Sequence, residues 1–119
     1  MITFDNLPLA FTLGAWEEMD ENVCSLDELF DMYRAEDNKN RLAVDTMQKT
    51  LKVAVIFAKA AGTEITYDDL HSELMPGETI ALQGAIMAAV NEGLDFENKK
   101  NQRRDLVLEE LDAAEGKNA

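Results

Sequence analysis

Cysteine occurs once in this chain, at Cys24, so no internal disulfide can brace the fold. Histidine also occurs once, at His71, and together they leave too few nitrogen and sulfur donors for a zinc site. A hydrolytic triad needs a histidine beside its nucleophile, yet His71 lies between Leu70 and Ser72 in an acidic stretch where a structural role is expected. Glycine is too sparse for a phosphate-cradling loop. The pair Asp68-Asp69 lacks the alternating carboxylates and turn glycine of a calcium loop. No enzyme, no cofactor and no metal is expected on these grounds. Long apolar runs are missing too: the best, Val53 to Ala61, contains Lys59 and is too short to span a bilayer. The opening does not read as a signal peptide, because Asp5 precedes any apolar run and no base comes before it. A cytoplasmic protein is the expectation.

Bases are scarce. Eleven Lys and Arg face 24 Asp and Glu, giving a formal charge of -13 and a pI near 4.3. Such a chain cannot neutralise a run of phosphates, so neither nucleic acid nor an anionic membrane is an expected partner. The charge is also uneven. Residues 1–37 sum to -9, 38–60 to +4, 61–97 to -8 and 98–119 to zero. The basic centre is expected to be partly covered by its acidic flanks, or to form a solvated face with weak surface pairs. A hydrophobic share of 46% across 119 residues supports one compact domain.

The pattern of elements is helical. Met1 to Phe11 reads as a short extended segment in which Pro8 limits pairing. Thr12 can cap a helix over 13–22, with Leu13, Trp16, Met19 and Val23 on one side. Ser25-Leu-Asp-Glu28 has the form of a capping box, and the helix after it places Leu26, Leu29, Phe30 and Tyr33 on one face. A central helix runs from about Arg41 to Ala61, closed by Gly62. Ala43, Val44, Met47, Leu51, Ala54, Val55 and Ala58 form its broad apolar sector, and Arg41, Lys49, Lys52 and Lys59 a basic strip. Thr66 begins a short helix to about Leu74. The last long helix, Glu78 to Glu92 and closed by Gly93, carries no charge between its ends, which fits burial in the core or at a homo-oligomer contact. A polar linker follows Phe96, and then a short amphipathic piece with Leu106, Val107, Leu108 and Leu111.

Two local features invite a chemical reading and do not sustain it. Cys24 precedes a helix start, which lowers a thiol pKa, but Glu17, Glu18, Asp20 and Glu21 oppose that, so an inert thiol is expected. Ser25 in Cys24-Ser-Leu-Asp-Glu-Leu29 has an acyl-carrier flavour, yet that motif has aspartate where Cys24 stands. An N-cap role explains the serine without a cofactor.

Through Leu7-Pro-Leu-Ala-Phe-Thr-Leu-Gly-Ala-Trp-Glu-Glu-Met19 and Ser25-Leu-Asp-Glu-Leu-Phe30, the chain resembles the tail assembly chaperones of long-tailed, siphovirus-type bacteriophages. The motif-level likeness is confined to about 7–30, and the order of elements extends it over most of 3–96. The resemblance implies a non-enzymatic protein that binds the tape measure protein and the tail tube protein during virion morphogenesis, in the host cytoplasm. It also implies a longer product made by a -1 ribosomal frameshift, and Gly116-Lys117-Asn118 and Lys99-Lys100-Asn101 are compatible with slippery codons. By that reading Trp16, Met19, Phe30, Met47, Met87, Leu108 and Leu111 are candidate partner contacts, with plain core packing as the alternative for the aromatic and methionine residues.

The expectation is therefore an all-α chain: a helical chaperone domain over 1–96, of about five helices with a short extended N-terminal segment, and a flexible polar tail over 97–119. The rival is an acidic DNA-mimic inhibitor of a nucleic-acid-binding host protein, against which the basic strip of Lys49, Lys52 and Lys59 counts.

Overall fold

The computed structural model describes residues 2–35 and 43–95. Five helices account for most of it: α1 (Leu13–Asn22), α2 (Leu26–Ala35), α3 (Val44–Ala60), α4 (Tyr67–Glu73) and α5 (Glu78–Gly93). The expected tail at 97–119 lies outside the described residues. The predominantly helical reading holds.

Ahead of the helices, the extended segment is a hairpin of β1 (Ile2–Phe4) and β2 (Leu7–Leu9). The strands pair antiparallel with Phe4 opposite Leu7, Thr3 opposite Pro8 and Ile2 opposite Leu9. Asp5 (φ 47°) and Asn6 (φ 69°) make the turn, both left-handed, as a two-residue hairpin loop of the primed type demands. In that register the pair flanking the loop is hydrogen-bonded and the next pair is not. Pro8 occupies the second, where its missing N–H takes nothing from β1. The residue expected to limit pairing thus sits where pairing tolerates it.

α3 is the hub, packing against α1, α4, α5 and β2. It buries Leu51, Val53, Ala54, Ile56, Phe57 and Ala58, together with two polar residues, Thr46 and Thr50. Phe57 lies wholly inside, its ring centroid 5.2 Å from that of Phe11, and its carbonyl accepts from Ala10 N–H at 3.1 Å. The chain leaving the hairpin is thereby tied to the middle of the core. The helix begins later than expected, at Val44, after an extended Ala43 that offers no side-chain cap. In its first turn Thr46 faces the core, while Val44 stands 64% exposed instead of joining the buried sector.

The ends of α3 and α4 follow local rules. Gly62 (φ 94°) follows α3, with its N–H bonded to Lys59 O at 3.0 Å and the Thr63 N–H to Ala58 O at 2.9 Å. That is the double bond pattern in which a left-handed glycine ends a helix. Thr66 Oγ1 accepts from Asp69 N–H and the Asp69 carboxylate from Thr66 N–H, both at 3.1 Å, a complete capping box. At Ser25 only half the expected box forms. Glu28 N–H donates to Ser25 Oγ at 3.1 Å, but the Glu28 carboxylate takes the Ser25 hydroxyl and not its amide.

Gly93 does not close α5 in the expected way. It is the last helical residue, and the cap is Leu94 at φ -90°. A Cβ on Gly93 would lie 2.5 Å from the Phe11 carbonyl oxygen, so glycine is present for close approach. α5 also buries one side only: Thr79, Leu82, Ile86, Ala89 and Val90 face inward, while Ala81 and Gly84 are exposed.

Candidate partner-binding surface

The proposed contact residues separate into different environments. Met19 is fully buried, so it presents no surface and serves as core. Phe30 and Met87 are half-buried and pack onto the core from α2 and α5. Trp16 is half-buried on α1, its ring 5.4 Å from that of Phe11, and lines a shallow depression with Leu13, Glu17 and Asp20. Met47 lines a second, more enclosed groove. Leu108 and Leu111 lie outside the described residues. Trp16 and Met47 thus belong to separate depressions and do not make one site.

The groove runs between α3 and α4. Val44, Met47, Gln48 and Leu51 form one wall, Tyr67, Leu70, His71 and Leu74 the other, and Pro76 and Thr79 close one end. Each wall spans residues i to i+7, two helical turns or about 10 Å. Its volume is about 180 Å³, whereas small-molecule sites usually begin near ~300 Å³. Its size therefore suits a few side chains of a partner better than a cofactor. The His71 ring stacks on Tyr67 at 5.6 Å and gives the rim its only imidazole. The apolar wall on α4 follows from the spacing of Tyr67, Leu70 and Leu74, a signal present in the sequence but short. That Val44 lines an opening is a consequence of where α3 starts.

The titratable groups elsewhere have structural explanations. Cys24 is buried, and its thiol is pushed up by burial first and then by Glu28, with Lys49 opposing and Asp20 adding to the rise. The Lys49 ammonium is held up by its bond to Asp45, 3.0 Å away one turn earlier. Lys59 reaches Glu18 on α1 at 3.7 Å, an exposed pair across two helices of the kind that contributes little. Among the described residues no three His, Cys, Asp or Glu side chains gather to hold a metal ion. Among them, no helix is long and apolar enough to cross a membrane.

No protein-family model matches the chain, and no curated protein or solved structure matches it at a significant level.

Proposed function

We propose that this chain is a phage tail assembly chaperone, a non-enzymatic host-cytoplasmic protein that binds the tape measure protein and the tail tube protein. The observation that carries the reading is the apolar groove between α3 and α4, with Val44 64% exposed at its edge. Two turns of apolar wall on each side suit the face of an amphipathic client helix, which presents side chains at the same three- and four-residue spacing. Met47 gives that wall an adaptable side chain. The formal charge of -13 supports the same reading, because self-repulsion keeps a complex with an apolar client dispersed. The resemblance at Leu7–Met19 and Ser25–Phe30 names the client.

The acidic-mimic alternative fits less well. Lys52 and Lys59 are exposed on α3 and interrupt the negative surface that a basic target would need.

Co-expression tests the proposal. A tape measure protein from the same phage is expected to be insoluble alone, and soluble and co-purifying when the two are made together. Unchanged solubility rejects the chaperone role.

A further inference from the structure

α1 carries four acids, Glu17, Glu18, Asp20 and Glu21, and no base. Glu18 turns to Lys59 on α3 at 3.7 Å. Glu17 and Asp20 stand on another side of the helix, where they join Leu13 and Trp16 around a shallow depression of about 330 Å³. Intervals of three, one and three make these four residues a single stripe two turns long. Neither Glu17 nor Asp20 has an ion-pair partner among the described residues. The bases of those residues are committed elsewhere: Arg34 to Asp31, Lys49 to Asp45 and Lys59 to Glu18. Lys52 stands one turn past Gln48, on the groove side of α3. Asp20 and Glu21 also fall in the last turn of α1, where the helix dipole favours cations.

The apolar half of the stripe is held from behind. The Trp16 ring lies 5.4 Å from that of Phe11, and Phe11 lies 5.2 Å from the fully enclosed Phe57. Gly93 closes on the far side of Phe11, where a Cβ would stand 2.5 Å from its carbonyl oxygen. Trp16 is therefore a half-buried ring on a fixed aromatic base, and little ordering remains to be done when something covers it. Leu13 beside it is 75% exposed. A rigid tryptophan next to an exposed leucine is the kind of anchor on which protein contacts concentrate.

We infer that this stripe is a docking site for a basic amphipathic helix of a partner protein. The helix sets apolar side chains on Leu13 and Trp16, and Lys or Arg against Glu17 and Asp20. Charge selects this occupant: two unpaired carboxylates beside an apolar seat complement bases one and two turns from an apolar anchor. A second copy, itself carrying a formal charge of -13, meets repulsion at the same place. The site is separate from the α3–α4 groove, and the inference stands apart from the chaperone reading.

Trp16 is the only tryptophan and reports on the site directly. The probe is an alanine-based helical peptide without tryptophan, in which two leucines and two lysines repeat the spacing of Leu13, Trp16, Glu17 and Asp20. Titrated into the full-length chain, it is expected to shift Trp16 emission to shorter wavelength and lower acrylamide quenching about twofold. E17Q/D20N is expected to weaken binding about tenfold, whereas D27N/E64Q, which removes as much charge away from α1, stays within about twofold of the parent. Should E17Q/D20N lose its helical circular dichroism, E17Q and D20N replace it singly, each with about a threefold loss expected. No Trp16 response to the peptide overturns the inference. Equal binding of a peptide with glutamates for the lysines also overturns it, as does an equal loss in D27N/E64Q. So does emission of the chain alone that changes on about hundredfold dilution, because a second copy then covers the face.

Discussion

The hydroxyls of Tyr33 and Thr50 lie 2.9 Å apart in the core and join α2 to α3. Tyr33 is 4% exposed and Thr50 wholly enclosed, so each is the other's means of being buried. With Leu29, Tyr33 makes up the buried face of α2, and the hydroxyl pair fixes how that face meets the hub helix.

Breaking one side of the pair should cost more than removing both. Thr50→Val leaves the Tyr33 hydroxyl without its partner, at a cost of about 1–3 kcal/mol for an unsatisfied buried group. Adding Tyr33→Phe removes the orphan and should recover most of the loss. Urea denaturation of the two single variants and the double closes the cycle. Additive losses would show that the two hydroxyls are not coupled.

The same tyrosine sets an alkaline limit. Burial pushes the Tyr33 phenol well above its ordinary value near 10, and the Thr50 bond offsets only part of that. An unfolded tyrosine ionises near 10 while the folded one does not, so the unfolded state is the one that gains by losing the proton. Tyr33 therefore contributes stability fully below about pH 10, and it is lost as pH rises from there toward the raised native value. The slope from this group is about 1.4 kcal/mol per pH unit within that window. The buried Cys24 thiol, also raised, works in the same direction from a lower starting pH. Denaturation midpoints from pH 8 to 11 should fall less steeply in Tyr33→Phe than in the parent.

Two glycines of α5 should respond oppositely to alanine. At Gly93 the added methyl meets the Phe11 carbonyl at 2.5 Å and the Phe11 side chain at 3.0 Å, and backbone cannot yield cheaply. Overpacking of this kind costs about 1–3 kcal/mol. At Gly84 nothing lies within 4 Å, and the position is an exposed helix interior. There Gly84→Ala should stabilise by about 0.5–1 kcal/mol through helix propensity. Thermal unfolding of both variants checks the pair, and a stable Gly93→Ala chain would mean that α5 and the hairpin exit are not so tightly packed.

What could be seen beforehand was whatever depends on near neighbours in the chain. Thr12 and Thr66 cap as their spacing says, since Thr12 Oγ1 accepts from Ala15 N–H at 3.1 Å and the Thr66 box is complete. Gly62 ends α3 because a left-handed residue is wanted one step past the last carbonyls. The hairpin escaped notice because Pro8 argued against pairing, and only the register shows that it falls in a non-hydrogen-bonded position. Gly93 had the position of a helix stop, but its reason is a contact with Phe11, far away in sequence. Among the candidate contacts, Trp16 and Met19 share a helix side by spacing. Which is enclosed depends on how α1 is rotated against α3, and nothing local encodes that rotation. The groove around Met47 required knowing where α3 begins relative to the core.

The exposed apolar residues allow the two depressions to be tested separately. Val44 is 64% and Leu13 75% exposed, so Val44→Glu and Leu13→Glu should each leave stability within about 0.5 kcal/mol of the parent. If the α3–α4 groove receives the client helix, Val44→Glu places a charge in an apolar seat that must be desolvated on binding. Rescue of tape measure solubility should then fall at least about tenfold in yield, the equivalent of 1.4 kcal/mol. Leu13→Glu should leave rescue intact and alter only the Trp16 spectrum, because Leu13 lines the separate depression beside Trp16 and not the groove. Pelleting assays on co-expressed lysates read the first effect and emission spectra the second. Loss of rescue in Leu13→Glu with none in Val44→Glu would move the client to the α1 face and discard the groove.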